Sequence, residues 1–248
     1  MLLKGKVAII TGGGSGIGKA ITLKFAKEGA IVVIADIDKK KAYDVASEVK
    51  SLGGKAMAIQ TNVSNKESVG NLVESTIGTF NCVDILVNNA GVLHSTLIED
   101  ITEEEWDRVF AVNMKGTFLC SQAVLPSMKK KREGRIINMS SNAGRNGGVS
   151  TGLAYAASKA SIIGFTYGLA KQIAEYGITC NCIAPGTTQS DMINLFTPEM
   201  IHNIVEAIPL KRLGKPEEIA ELACFIASKN GAFMTGAVID INGGMFIG

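Results

Sequence analysis

Tyr155 and Lys159 stand four residues apart at the start of a long helix-patterned segment, so both side chains leave one face of a helix with Cβ atoms about 6 Å apart. An ammonium at that range favours the phenolate and draws the tyrosine pKa toward a working value, as a group that trades a proton with an alcohol oxygen requires. The spacing recurs at Tyr167 and Lys171, so by itself it discriminates little. Context separates the pairs. Only Tyr155 follows a Gly/Ser-rich loop, residues 141–152, after a strand-like run, which is where a doubly wound sheet builds its site. Tyr167 is read as structural.

A second feature follows the first strand-like run. In Thr11-Gly12-Gly13-Gly14-Ser15-Gly16-Ile17-Gly18, glycines allow a tight turn and let backbone N–H groups approach a pyrophosphate at a helix N-terminus. A glycine loop alone is a weak signal, but this one lies between a strand and an amphipathic helix, the context that dinucleotide binding requires. The next strand ends at Asp36, where a carboxylate can accept from both adenosine ribose hydroxyls and would repel a 2′-phosphate. Ser15 supplies no balancing cation, and Lys39 to Lys41 lie further on. NAD(H) is therefore expected over NADP(H), with Asp38 the better placed of the two acids to cap the following helix.

The elements that must hold these residues alternate. Apolar runs at residues 7–11, 30–35, 55–61, 83–88, 135–140, 178–184 and 237–241 are separated by helix-patterned segments. The runs are nearly continuous in Val, Ile and Ala, as parallel strands covered on both faces require. Ile17, Ile21 and Phe25 mark one helix face, and Val45, Val49 and Leu52 another. The expected fold is α/β: one Rossmann-type domain over residues 1–248, with a doubly wound, mostly parallel seven-stranded sheet between helices.

Composition agrees with one globular domain. Of 248 residues 46% are hydrophobic and 19% charged, which argues against disorder. A net charge of +2 leaves no footprint for nucleic acid, and the basic run Lys129 to Arg132 reads as a solvated helix end. No apolar stretch approaches membrane-spanning length, and the N-terminus runs into a strand too soon for a signal peptide. Five scattered cysteines lack metal-site spacing and read as buried small hydrophobes in a reducing cytoplasm; no metal is expected.

Several motifs occur together in one order: the glycine loop, Asn88-Asn89-Ala90-Gly91, Asn113, Ser141, Tyr155 with Lys159, and Pro185-Gly186. In these the chain resembles the short-chain dehydrogenase/reductase family over nearly its whole length. The resemblance implies hydride transfer between a nicotinamide and a secondary alcohol or ketone. Tyr155 would be the acid/base, Lys159 would also hold the nicotinamide ribose, Ser141 would orient the substrate oxygen, and Asn113 would position a water in a proton relay. It places Gly12, Gly14, Ser15, Gly16, Ile17 and Gly18 on the pyrophosphate side and Asn62 and Val63 at adenine. Asn89, Ala90 and Gly91 would lie along the cofactor, with Pro185, Gly186, Thr188 and Ser190 toward the carboxamide. Three departures stand out: Asn62 where Asp is common, Ser190 for the more usual Thr, and one extra residue between Ser141 and Tyr155, so that the loop would bulge and bring in Ser140 or Asn142.

His94, Asn142, Leu153 and residues 187–200 flank these positions as pocket candidates, and the apolar stretch 194–208 reads as a lid or a packing helix. The apolar circumference of the Tyr155 helix and the apolar C-terminus suit a homotetramer, with a dimer the alternative. Two other functions compete with an NAD(H)-dependent dehydrogenase. One is a 3-oxoacyl-[acyl-carrier-protein] reductase, a branch that mostly prefers NADPH; the other is a non-catalytic dinucleotide sensor, which a complete set of Asn113, Ser141, Tyr155 and Lys159 argues against.

Overall fold

The central aliphatic runs become strands largely buried on both faces. The computed structural model describes residues 1–148, 151–189 and 197–248. In chain order the elements are β1 (Val7–Thr11), α1 (Gly16–Lys27), β2 (Ile31–Asp36), α2 (Lys39–Ser51), β3 (Lys55–Gln60), α3 (Lys66–Phe80), β4 (Ile85–Asn88) and α4 (Glu103–Phe110). There follow α5 (Gly116–Lys131), β5 (Gly134–Met139), α6 (Ala143–Asn146), α7 (Leu153–Ile173), β6 (Ile178–Pro185), α8 (Pro198–Ala207), α9 (Pro216–Ala227) and β7 (Val238–Ile241). A π turn, Ala111–Lys115, joins α4 to α5.

All strand pairs are parallel, in the order β3-β2-β1-β4-β5-β6-β7. Connections run one way from β1 to β3 and the other way from β4 to β7, so the helices divide between two faces and a crevice opens beyond the ends of β1 and β4. Alternate strand residues feed the two cores. One packs Ile10, Ile34, Val87 and Ile183 under α1, α2 and α9 through Ile21, Phe25, Val45 and Cys224. The other packs Ile9, Val33, Leu86 and Ile136 under α3, α5 and α7 through Leu72, Val124 and Ile173. A fully buried side chain such as Phe25 contributes roughly 1.5–3 kcal/mol. The edge strand β3 is only partly buried, its ends exposed, as its position dictates.

A polar seam crosses the second core. Asn88 Nδ2 donates to Asn138 Oδ1 at 2.8 Å and to Ser121 Oγ at 3.0 Å, and Asn138 Nδ2 donates to Thr166 Oγ1 at 3.0 Å. Because buried amides need partners, this seam fixes α5 and α7 against β4 and β5 and so sets the axial position of α7.

Two expectations are refined. The apolar stretch 194–208 contains α8, which has no fully buried residue, while its first residues lie outside the described chain. The basic run is more than a solvated end: Lys131 pairs with buried Asp84, and the Lys129 ammonium lies 4.2 Å from the Tyr176 ring centroid.

Candidate functional site

The glycine loop turns out of β1 at Gly12, whose φ of +62° suits glycine and where a Cβ would stand 3.0 Å from Ala90 Cα. Asn89 closes the loop from β4: its side-chain amide donates to the Thr11 and Gly12 carbonyls at 3.0 and 3.1 Å. Thr11 Oγ1 accepts the Asn89 and Ala90 N–H groups at 3.0 and 3.1 Å. Any side chain on Gly18 would strike the Gly12 carbonyl, so α1 starts directly against the turn. Ser15, which precedes α1, makes no side-chain cap, and the first turn holds no acid. By contrast α2, α3 and α4 are capped by Asp38, Asn65 and Thr102. The N-terminus around Gly16, Ile17 and Gly18 thus keeps its donors free of a competing side chain, which fits a bound pyrophosphate.

Asp36 ends β2 and is buried, with its carboxylate held on both sides. Oδ2 accepts the Gly14 N–H at 2.9 Å and Oδ1 the Asp38 N–H at 3.0 Å. Asp36 therefore braces the glycine loop. Asn62 Oδ1 accepts the Ser64 N–H and hydroxyl at 3.0 and 2.7 Å, and Val63 is buried against Gly116 at the start of α5.

At the ends of β4, β5 and β6 the structure brings together the other candidates. Asn113 lies on the π turn, fully buried; such turns recur at functional sites. Its Oδ1 accepts the Val92 N–H at 2.8 Å, and its Nδ2 donates to the Val92 carbonyl and to Ser158 Oγ at 3.0 and 2.9 Å. A Cβ on Gly91 would stand 3.3 Å from both Asn113 Oδ1 and Lys159 Nζ, so the chain passes between them.

Lys159 is buried on α7. Its Nζ donates to the Met139 carbonyl at 2.8 Å and lies 5.6 Å from the Tyr155 ring centroid. Burial pushes its pKa down to about 8. Burial also raises the Tyr155 phenol, opposed by the hydrogen bond with Ser141. The expected lowering of the phenol is thus reversed: desolvation outweighs the favourable contact with Ser141, and the Lys159 ammonium is turned to the Met139 carbonyl.

Ser141 stands near enough to Tyr155 to oppose the rise of its phenol, with the extra loop residue between them in the chain. Gly152, with φ +79°, precedes α7 and is pressed against the His94 carbonyl where no side chain fits. Ser140 is taken up elsewhere, donating to the Lys159 carbonyl at 2.7 Å. Asn142 is buried, and its N–H donates to the Pro185 carbonyl at 2.8 Å. Pro185 ends β6, Gly186 follows it and lies over Asn242, and buried Thr188 donates to the Gly186 carbonyl at 3.0 Å. Ser190 lies outside the described residues. His94 is engaged by Glu105 at 3.1 Å and Thr96 at 2.7 Å, and Leu153 is exposed. Tyr167 is also exposed.

Sequence reasoning passed over Thr11 and Ser158 as individual site residues. Only their neighbours, the first glycine and Lys159, hinted at them. Among the described residues no cluster of three or more His, Cys, Asp or Glu is arranged to hold a metal, and no helix is long and apolar enough to cross a membrane.

The family model described as Enoyl-(Acyl carrier protein) reductase matches residues 12–246. The chain is 42% identical to 3-oxoacyl-[acyl-carrier-protein] reductase FabG of Thermotoga maritima, over all of both proteins. It is equally identical, at 42%, to an uncharacterized oxidoreductase of the same organism, covering 98% of each. Among solved structures it superposes on gox2181 with a TM-score of 0.95 at 32% identity, covering 98% of this chain and 96% of that one. A short-chain type dehydrogenase/reductase from Mycobacterium marinum gives a TM-score of 0.94 at 32% identity, covering 99% and 97%. With the glycine loop, the buried Asn113 and the Ser141–Tyr155–Lys159 grouping in place, the chain belongs to the short-chain dehydrogenase/reductase family of nicotinamide-dependent oxidoreductases.

Proposed function

We propose that the chain reduces the ketone of a 3-oxoacyl thioester to the secondary alcohol, and that it draws on NADH. The substrate class is supported by the relatives named 3-oxoacyl-[acyl-carrier-protein] reductase. The cofactor rests on one observation, the Asp36 carboxylate fixed at the end of β2 by two backbone N–H groups. A carboxylate held there accepts ribose hydroxyls and repels a 2′-phosphate.

The reduced nicotinamide supplies the hydride. The chain supplies the proton and the charge stabilisation. Tyr155, whose phenol burial pushes above its ordinary value, donates its proton to the ketone oxygen as charge develops there. Ser141 donates a second hydrogen bond to that oxygen, a preorganised contact of the kind that carries much of the catalytic stabilisation. Lys159 is positioned to bind the nicotinamide ribose and to bias the phenol. The Asn113 side chain is spent on Val92 and Ser158, and its main-chain carbonyl accepts the Thr117 hydroxyl at 2.8 Å, so a relay water would share that carbonyl through its second lone pair. Asn62, Val63, Ala90, Gly91, Pro185, Gly186 and Thr188 line the remaining length of the dinucleotide.

A second reading, an NAD(H)-linked dehydrogenase of another secondary alcohol, is favoured by Asp36. We also infer a homotetramer, supported by exposed Phe118 on α5, Phe225 on α9 and Phe233. A cytoplasmic setting is supported by five free thiols.

Parallel titrations with NADH and NADPH, followed by turnover of acetoacetyl-CoA, test the proposal. Tighter NADH binding with acetoacetyl-CoA reduction is the expected outcome. NADPH preference would overturn the reading of Asp36, and NADH preference without turnover would leave the second reading in place. Asp36→Ala alone is a poor discriminator, because it also unbraces the Gly14 amide.

A further inference from the structure

We propose that Arg145 and Asp240 are positioning residues for Ser141, a clamp joining the short helix beside the reactive hydroxyl to the last strand of the sheet. This rests on Ser141 and Tyr155 acting as proposed above. The rotamer of Ser141 follows α6: Ser141 Oγ accepts the Ala143 N–H at 3.1 Å, and its carbonyl accepts the Gly144 N–H at 2.9 Å. A four-residue helix does not hold itself in place. Its position comes from three outside contacts.

Two involve the main chain. Gly144 packs against the Lys159 carbonyl carbon, where a Cβ would stand at 2.7 Å, and the Asn142 N–H reaches the Pro185 carbonyl. The third is made by side chains. Arg145 Nη2 lies 3.1 Å from Asp240 Oδ2 on β7, and the guanidinium stacks 4.5 Å from the Phe246 ring centroid. The two side chains are about one-fifth exposed, at 19% and 22%, so the pair is shielded well beyond an ordinary surface ion pair.

The pair meets at Nη2 and Oδ2 as an ion pair, and the fork is not closed. Arg145 Nε and Asp240 Oδ1 are both buried and find no hydrogen-bond partner among the described residues; they are the atoms that a second, parallel bond would join. Asp240 pairs with Ala184 in the β6–β7 ladder, one residue before Pro185. The same anchor therefore serves the shoulder of Ser141 and the Pro185–Gly186 corner, so the clamp fixes the proton-donating side of the site relative to the cofactor side. Arg145 is not free to recognise an anionic substrate, because its charge is already matched by Asp240.

The test uses the full-length protein with Arg145→Met, Asp240→Asn, the double variant, Arg145→Lys and, as benchmark, Tyr155→Phe. Amide hydrogen exchange at Ala143 and Gly144 requires no substrate. Both single substitutions are expected to speed it at least tenfold while the central amides of α7 keep their protection. With acetoacetyl-CoA and NADH, each single substitution is expected to lower kcat about tenfold and leave the NADH Kd within twofold. The double variant should be no worse than either single. The pH limb assigned to Tyr155 should move upward, since it loses the Ser141 hydrogen bond with Lys159 unchanged; mere loss of folded protein would not shift it. Arg145→Lys should recover part of kcat, and it serves as the probe if Arg145→Met does not fold. Unchanged exchange at Ala143 and Gly144, additive losses in the double variant, or wild-type kcat in the singles would overturn the clamp. Full turnover by Tyr155→Phe would instead overturn the reading of the site, and the clamp with it.

Discussion

Two buried charges at opposite ends of the sheet are treated in opposite ways. Asp84, just before β4, is 4% exposed and well served: the Val7 N–H donates to it at 2.8 Å, the Lys131 ammonium meets its other oxygen, and the Cys82 thiol lies at 3.7 Å. Lys159, past the end of β5, is equally buried at 4% but is given one carbonyl and the face of a ring, with no carboxylate in ion-pair reach among the described residues. Asp84 resembles a structural charge, paired where it is made. Lys159 is a charge kept short of partners, which lowers its pKa and leaves its proton and its hydrogen-bonding capacity for something that binds.

Lys159→Met breaks this contrast with the largest effect. Turnover is expected to fall by about 10²- to 10⁴-fold, yet the cofactor-free fold should gain stability near neutral pH. The folded-state pKa of about 8 lies below the ordinary lysine value. Below pH 8 both states carry the proton and the folded state bears the whole desolvation cost, roughly 3 kcal/mol. Above pH 8 the folded state sheds the proton first, so this cost is relieved as pH rises toward the ordinary lysine value. Urea unfolding at pH 7 and pH 10 should show the advantage of Lys159→Met over wild type shrinking with pH. An advantage that grows would mean that Lys159 is stabilised by a partner.

Asp84→Ala should do the reverse. It leaves the Val7 N–H unpaired at the start of β1 and removes the partner of Lys131, at an expected cost of about 3 kcal/mol. Turnover per folded molecule should stay within twofold of wild type. A kcat loss matching the stability loss would erase the distinction between the two ends.

Features carried by near neighbours in the chain were the ones legible from sequence. The strands were found within two residues at each end because β1, β2, β4, β5 and β6 are largely buried on both faces and read as aliphatic runs. Tyr155 with Lys159, the glycine loop and Asp38 as the cap of α2 each depend on spacing within a few residues. Other properties depend on what folds over them. The rise in the Tyr155 pKa follows from burial that no spacing reveals. The π turn at Asn113 depends on a hydrogen-bond register that ordinary helix periodicity does not mark. Arg145 and Asp240 come from distant segments brought together by the β6–β7 pairing, and Lys131 looked like one more exposed cation until Asp84 was placed beneath it.

The smallest expected effect refines the same contrast at two helix starts. Asp38 Oδ1 accepts the Lys41 N–H at 3.1 Å, so Asp38→Ala should cost about 1 kcal/mol of stability. Ser15 holds the corresponding place at α1 and makes no such bond, so Ser15→Ala should change stability by less than about 0.5 kcal/mol. The free α1 donors are of use only to an anion, so they should appear in a different measurement. A pyrophosphate-containing dinucleotide should raise the Tm of wild type and Asp38→Ala by the same increment, because the brace on Gly14 runs through the Asp36 carboxylate and the main-chain N–H of residue 38, which the substitution keeps. A loss at Ser15→Ala as large as at Asp38→Ala would show that α1 is capped in solution, and its N-terminus would then not be held open for a phosphate.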